Sequence, residues 1–100
     1  MNTELDYEIK LQTANLCQAM LKNINDNFSN VSFEILANDD IQVKIILLQQ
    51  TKIETELIDD LIAEFAALQK RDNVLPPIII TSNQETALSN LVYRLSDAIT

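Results

Sequence analysis

Carboxylates are the most numerous charged side chains of this sequence, and several of them recur at helical spacing. Glu56, Asp60 and Glu64 recur four residues apart, and Asp59 lies beside them. On a helix this spacing puts like charges on one face, where each pair destabilises an isolated helix by about 0.2–0.5 kcal/mol. Lys52 can relieve only the first member of the series. Such a face is either a solvated surface or a patch that attracts a basic partner, and both interpretations stay open at this point.

Asp39 and Asp40 form a second acidic pair, directly after Asn38. Hard cations need several oxygens that converge on one point, and an EF-hand loop takes about twelve residues to supply them. Two adjacent carboxylates in a short turn cannot do this alone, so turn chemistry explains them and we predict no metal site. The predicted partner-binding residues are the carboxylates of both places: Glu56, Asp59, Asp60, Glu64, Asp39 and Asp40.

The chain contains no Gly and no His, and these two absences exclude several classes of function. Without Gly there is no Gly-rich loop to hold a phosphate and no dinucleotide-binding turn. Without His the commonest general base and metal ligand are missing. Cys17 lies on the apolar flank of the predicted first helix, with no His to activate it, so we expect a buried structural thiol. Any two of the 15 acids could form a glycosidase-type pair, but nothing singles one out. We therefore expect neither an enzyme nor a cofactor.

Composition and charge favour a protein partner over other ligands. The 100 residues are enough for one globular domain, residues 1–100, and 47% of them are hydrophobic. The net charge of -8 disfavours binding to nucleic acid or to an anionic membrane surface, because both carry negative charge. The apolar run at 45–48 is too short to span a membrane, and early acids argue against a signal peptide. We expect a cytoplasmic protein with a basic protein partner.

Periodicity predicts a helix and a hairpin in the first half of the chain. Apolar residues at helical spacing predict a helix over about 3–27. Alternation then predicts two strands, joined by a three-residue loop at Asn38–Asp40. This loop would pair Ile35 with Val43 and place Glu34 opposite Lys44, a favourable cross-strand pair.

The second half is predicted to contain a helix, a strand and a final helix. Thr51 and Glu54 form a capping box for the middle helix, and Asn73 would be its left-handed C-cap. The strand at 78–80 is apolar on both sides, and a second capping box at 82–85 precedes a helical stripe. The stripe consists of Leu88, Leu91, Val92, Leu95, Ala98 and Ile99. The prediction is thus an α+β (mixed α/β), two-layer domain, order α-β-β-α-β-α, with a three-stranded mixed sheet and helices mainly on one face.

The second face of this sheet has a mixed composition. Leu36, Ile46 and Leu48 share it with polar residues, so it is too apolar for a solvated surface and too polar for a full core. Partial cover by a helix and an interface with a partner are both compatible with this composition.

The whole-chain profile resembles the immunity proteins of bacterial contact-dependent inhibition and bacteriocin systems. The closest local similarity is the acidic stretch 54–64, followed by Leu-Pro-Pro-Ile at 75–78. The resemblance implies a small cytosolic monomer that occludes a cognate toxin, often a basic nuclease domain. An alternative is a homodimeric regulator or a secretion-chaperone-like module that uses the mixed sheet face. Such chaperones share the helix-first order but usually have more strands than are predicted here.

Overall fold

Two helices and four strands make up the fold in the computed structural model, which describes residues 3–82 and 87–95. The elements are α1 (Thr3–Met20), β1 (Phe28–Ile35), β2 (Ile41–Leu47), α2 (Lys52–Ala67), β3 (Ile78–Thr81) and β4 (Asn90–Arg94). The sheet order is β3-β2-β1-β4, with β2 and β3 parallel and both other pairs antiparallel. The mixed α/β class fits the prediction, but the three-stranded sheet is wrong.

The prediction failed at β4, where a strand replaces the expected final helix. The spacing of Leu88, Leu91 and Leu95 suits a helix, yet β1 presents a free edge that a strand can pair. β4 fills it in antiparallel register, from Asn30 opposite Arg94 to Phe33 opposite Asn90. Tertiary pairing therefore overrides helical periodicity in this segment. Residues 83–86 of the second capping box, together with Ala98 and Ile99, lie outside the described residues.

The hairpin between β1 and β2 forms, but its register differs from the predicted one by two residues. Ile35 pairs with Ile41 and not with Val43. Glu34 accordingly faces Gln42, and Lys44 faces Ser32, so the predicted Glu34–Lys44 pair is wrong. A shift of two leaves every side chain on its predicted face, because the strand period is two.

Local backbone chemistry at the turn explains the shifted register. The Leu36 amide donates to the Asp40 carbonyl at 2.8 Å, and the Asp39 amide donates to the Leu36 carbonyl at 2.9 Å. These bonds close a three-residue loop at 37–39, one residue earlier than predicted. Asp39 has φ 69°, the left-handed conformation that the third residue of such a loop requires. Asp tolerates this conformation better than most residues other than Gly.

Both helices cover the same face of the sheet. Alternate residues of β1 and β2 form a single buried cluster with residues from each helix. From the strands it contains Phe28, Val31, Phe33, Ile41, Val43, Ile45 and Leu47, and from the helices Leu16, Ala19, Met20, Ile58, Leu61 and Phe65. Burial of these side chains fixes the orientation of α1 and α2.

The opposite face of the sheet is not an open surface around Ile46. Ile46, Ser32 and Asn30 are all buried there. The Leu88 amide donates to the Ser32 hydroxyl at 2.9 Å, so the segment before β4 runs close to this face. An interface with a partner, one of the two alternatives for this face, therefore has no exposed side chain at its centre around Ile46.

α1 is shorter than predicted and buries fewer of its apolar residues. It ends at Met20, before an Asn-rich segment whose side chains compete for backbone groups. Asn25, for example, accepts a hydrogen bond from the Asn27 amide at 3.0 Å. Cys17 and Leu21 are exposed, so the prediction of a buried structural thiol is wrong.

The end of α2 differs from the prediction. α2 ends with Leu68 as a right-handed C-cap, and Asn73 is not left-handed, since Asp39 is the one described residue with positive φ. β3, which is apolar on both sides, is an edge strand, and its three isoleucines are 37–40% exposed. β2 and β3 pair in parallel across α2, as the strand–helix–strand order favours.

Candidate functional site

The capping box fixes the start of α2, and the buried side of the helix turns the predicted acidic residues toward solvent. The Thr51 hydroxyl accepts from the Ile53 amide, and the Glu54 carboxylate accepts from the Thr51 amide at 2.6 Å, which confirms the predicted box. Ile58, Leu61 and Phe65 are buried on the inner side of the helix. The opposite side, which we call the acidic face of α2, carries four exposed carboxylates: Glu56, Asp59, Asp60 and Glu64.

The four carboxylates of this face differ in how far the protein neutralises them. Glu56 lies 4.0 Å from the Lys52 ammonium, and both side chains are largely exposed, so this ion pair is weak. Glu64 accepts a hydrogen bond from the Asn23 amide group at 3.1 Å, which ties it to the segment after α1. The Asp59 and Asp60 side chains have no hydrogen-bond or ion-pair partner in the described part of the chain. Two of the four charges are thus uncompensated.

The other two predicted residues lie at the tip of the hairpin, which is held by hydrogen bonds. Asn38 donates to the Asp40 carboxylate at 3.0 Å, and the Asp40 amide donates back to the Asn38 side chain at 3.1 Å. Asn73 donates to the Asp39 carbonyl, and Arg71 donates to the Asn38 carbonyl. These contacts fix the tip against the segment that follows α2.

The structure does not bring the two predicted acidic groups together. The tip contacts residues beyond the end of α2, whereas Glu56 lies near the start of that helix. α2 has 16 residues, which corresponds to a length of about 24 Å. A partner that contacts both Glu56 and the hairpin tip must therefore extend along most of α2.

A cleft that sequence analysis missed lies between the first half of α1, the end of α2 and the hairpin tip. We call it the α1–hairpin cleft, and its volume is about 700 Å³. Its apolar lining includes Leu5, Tyr7, Leu11 and Leu68, all partly exposed. The charged residues of the lining are the carboxylates Glu4, Glu8 and Asp39 and the cations Lys70 and Arg71. The excess of apolar residues on α1 over one helical stripe was the available sequence signal.

A pair of amide side chains joins the two helical walls of this cleft. Gln12 donates to Gln69 at 2.9 Å and accepts from it at 2.8 Å, so the two carboxamides form a reciprocal pair. Gln12 also donates to the Glu8 carboxylate, and it is buried. Because buried amides are costly to leave unpaired, this pair fixes α1 relative to the end of α2.

A smaller hollow connects the acidic face of α2 with the cleft. Its volume is about 250 Å³, and Gln18, Ala19, Glu64, Ala67 and Leu68 line it. Glu64 belongs to the acidic face, and Leu68 also lines the α1–hairpin cleft. The two surfaces are therefore continuous along the groove between α1 and α2.

Glu54 is the most strongly perturbed carboxylate among the described residues, but its environment is structural. It is 2% exposed and accepts from Thr51 and from the Asn25 and Asn27 side chains, the latter two at 2.7 and 3.1 Å. These hydrogen bonds, Thr51 first, lower the pKa of Glu54 to about 2 against the opposing effect of desolvation. Such a carboxylate is a poor proton acceptor, and its bonds join α2 to the segment before β1. The capping-box pattern indicates Glu54, but nothing in the sequence indicates the Asn partners.

No metal-ligand group or membrane-spanning helix is found in the described part of the chain, and no known family matches the sequence. Within residues 3–82 and 87–95, no group of three or more His, Cys, Asp or Glu side chains is placed to hold a metal ion. No helix in those ranges combines the length and apolar character needed to cross a membrane. No protein-family model matches the sequence, and no curated protein matches it significantly. The interpretation of the site therefore depends on its own residues.

Proposed function

We propose that this chain is an immunity-type protein that binds a basic toxin domain and neutralises it by stoichiometric occlusion. The observation that carries the proposal is the acidic face of α2, where Asp59 and Asp60 are exposed and unpaired within the described structure. Its carboxylates would pair with the Lys and Arg side chains that a nuclease uses to hold phosphate. Complementary charge accelerates encounter with such a partner and disfavours wrong ones.

The way α2 is anchored supports this function. Ile58, Leu61 and Phe65 hold one side of the helix in the core, and Glu54 fixes its first turn through four hydrogen bonds. The carboxylates therefore project from a backbone that needs no ordering when a partner arrives. Binding by a preorganised surface avoids part of the entropy loss of association.

The proposed partner and compartment follow from the charge of the chain and from its resemblance to immunity proteins. The partner is a protein and neither a nucleic acid nor a membrane, in keeping with the net charge of -8. The chain acts in the cytoplasm, as a monomer, without a cofactor and without catalysing a reaction. Occlusion requires one copy of this chain for each copy of the toxin.

Co-expression with the product of the preceding gene tests the proposal, since an immunity gene should follow its toxin gene. We expect that protein to stop growth alone and to be harmless when this chain is co-expressed. The variant Asp59→Asn/Asp60→Asn should reduce protection and weaken binding. The matched control is Asp26→Asn/Glu34→Gln, which removes two charges outside both the acidic face of α2 and the α1–hairpin cleft. Equal protection by both variants would exclude the acidic face of α2 as the binding surface.

A second candidate function, a homodimeric secretion-chaperone-like module, gains support from the sheet. The fourth strand brings the fold closer to such chaperones, and the edge strand β3 exposes three isoleucines. An exposed apolar edge can pair with a second copy of the chain. Native mass measurement separates the candidates, because a monomer supports the immunity function and a tight dimer supports the chaperone-like function.

A further inference from the structure

The acidic face of α2 can attract a basic partner but offers little to anchor it. Its four functional groups are exposed carboxylates, and exposed ion pairs contribute little to affinity. Most interfaces obtain their binding energy from a few apolar or aromatic side chains buried in a pocket. An anchoring site must therefore lie next to the acidic face, on a surface that the same partner can reach.

The α1–hairpin cleft meets this requirement by position. Glu64 of the acidic face and Leu68 of the cleft line the same small hollow, so one partner can contact both surfaces. Within the cleft, Leu5, Leu11 and Leu68 are each about 40% exposed, and Tyr7 is 68% exposed. Tyr is among the residue types enriched at binding hot spots.

The charges around the cleft indicate the chemistry of its occupant. Glu4 and Glu8 line the wall formed by α1, and Asp39 lies at the hairpin tip. Of the two cations opposite them, Arg71 already donates to the Asn38 carbonyl at 3.2 Å. The carboxylates outnumber the cations, and this sign matches that of the adjoining acidic face. A cationic segment is complementary to both surfaces.

We propose that the α1–hairpin cleft receives an apolar side chain of the partner from a segment that also carries Lys or Arg. This inference rests on the proposed function for the source of the segment, a basic protein. The reciprocal Gln12–Gln69 pair holds the cleft walls in place before binding. The acidic face of α2 attracts the partner, and the cleft retains it.

A peptide probe tests the cleft without knowledge of the natural partner. The probe is a fluorescein-labelled peptide of repeating Leu-Lys-Lys units, compared with one of repeating Leu-Glu-Glu units. We expect fluorescence anisotropy to show binding of the cationic peptide only. Amide chemical-shift changes should centre on residues 5–11 and 68–73. Equal binding of the acidic peptide, or shift changes confined to other surfaces, would overturn the inference.

Two charge-matched variants make the test specific. Tyr7→Lys alters the cleft, whereas Leu21→Lys adds the same charge directly after the end of α1, at a residue that is 79% exposed and does not line the cleft. We expect Tyr7→Lys to weaken peptide binding by about tenfold or more and Leu21→Lys by about twofold at most. Tyr7→Ser, which adds no charge, should also weaken binding and replaces Tyr7→Lys if that variant does not fold. Equal weakening by Tyr7→Lys and Leu21→Lys would refute a specific role of the cleft.

The test separates failure of the cleft from failure of the proposed function. If the toxin binds with full dependence on Asp59 and Asp60 but without any effect of Tyr7→Lys, the cleft inference is wrong and the function stands. If the cationic peptide binds at the cleft but no basic protein is neutralised, the proposed function is wrong. A concentration-dependent increase in mass that Tyr7→Lys abolishes would identify a second copy as the occupant and overturn the inference.

Discussion

Replacement of Glu54 by Gln should destabilise the protein at neutral pH and reduce the loss of stability as the pH falls. The Glu54 carboxylate accepts from the Thr51 amide and hydroxyl and from the Asn25 and Asn27 side chains. A carboxamide has one oxygen to accept these bonds, and its own N–H groups would meet other donors. Glu54→Gln should therefore lower the thermal midpoint at pH 7.

The pH window of this effect follows from the pKa of Glu54. Hydrogen bonding lowers it from the ordinary 4.5 to about 2 in the folded protein. Between these values the unfolded chain binds a proton that the folded protein does not, so stability falls as the pH falls. Midway, at pH about 3.2, unfolding takes up roughly 0.9 proton at this residue. The wild-type advantage over Glu54→Gln should be complete above pH 4.5 and should decrease toward pH 2.

Urea unfolding followed by circular dichroism at pH 7, 4.5 and 3 measures this difference. Glu56→Gln is the control on the same helix, because its carboxylate is exposed and has only the weak Lys52 ion pair. The control should differ little from the wild type throughout the series. A difference in the free energy of unfolding between wild type and Glu54→Gln that stays constant from pH 7 to pH 3 would refute the assigned hydrogen bonds.

Three further predictions concern the free protein. Asp60→Asn removes the like-charge repulsion with Glu56 and Glu64, so calorimetry should show stabilisation of about 0.4–1 kcal/mol at low salt. Destabilisation would show that the Asp60 charge is compensated in the folded protein. The free energy of unfolding of Asp39→Ala should be about 1–2 kcal/mol lower than that of Asp39→Gly, because a residue with a Cβ atom is sterically strained at φ 69°. Equal stability of the two variants would contradict the turn assignment. A chelator should leave the thermal midpoint unchanged, whereas a clear drop would indicate a metal site near Asp39 and Asp40.

Local signals in the sequence predicted the elements whose causes are local. The Thr51–Glu54 capping box positions α2, and period-two alternation locates both strands of the hairpin. The faces of these strands were also predictable, since even the shifted register leaves them unchanged. The position of the turn was not, because Asp39 and Asp40 are both able to adopt the left-handed conformation, and the structure uses Asp39.

Features that depend on distant contacts could not be predicted. The stripe at Leu88, Leu91 and Leu95 is compatible with a helix, and only the open edge of β1 makes its central part a strand. Cys17 was expected in the core from its helical position, but the structure leaves it exposed. The α1–hairpin cleft depends on how α1 lies against the end of α2, which core burial and the Gln12–Gln69 pair determine together and no local pattern indicates.

The association rate of the protein with the product of the preceding gene tests whether the acidic face of α2 attracts a basic partner. This rate should be measured at low and high salt for the wild type, for Asp59→Asn/Asp60→Asn and for the control Asp26→Asn/Glu34→Gln. We expect slower association for the Asp59/Asp60 variant, a near-normal rate for the control, and a difference that shrinks at high salt because exposed charges are screened beyond about 8–10 Å. Equal rates for the two variants at low salt would contradict the proposed binding surface, since the acidic face of α2 would then be only a solvated surface.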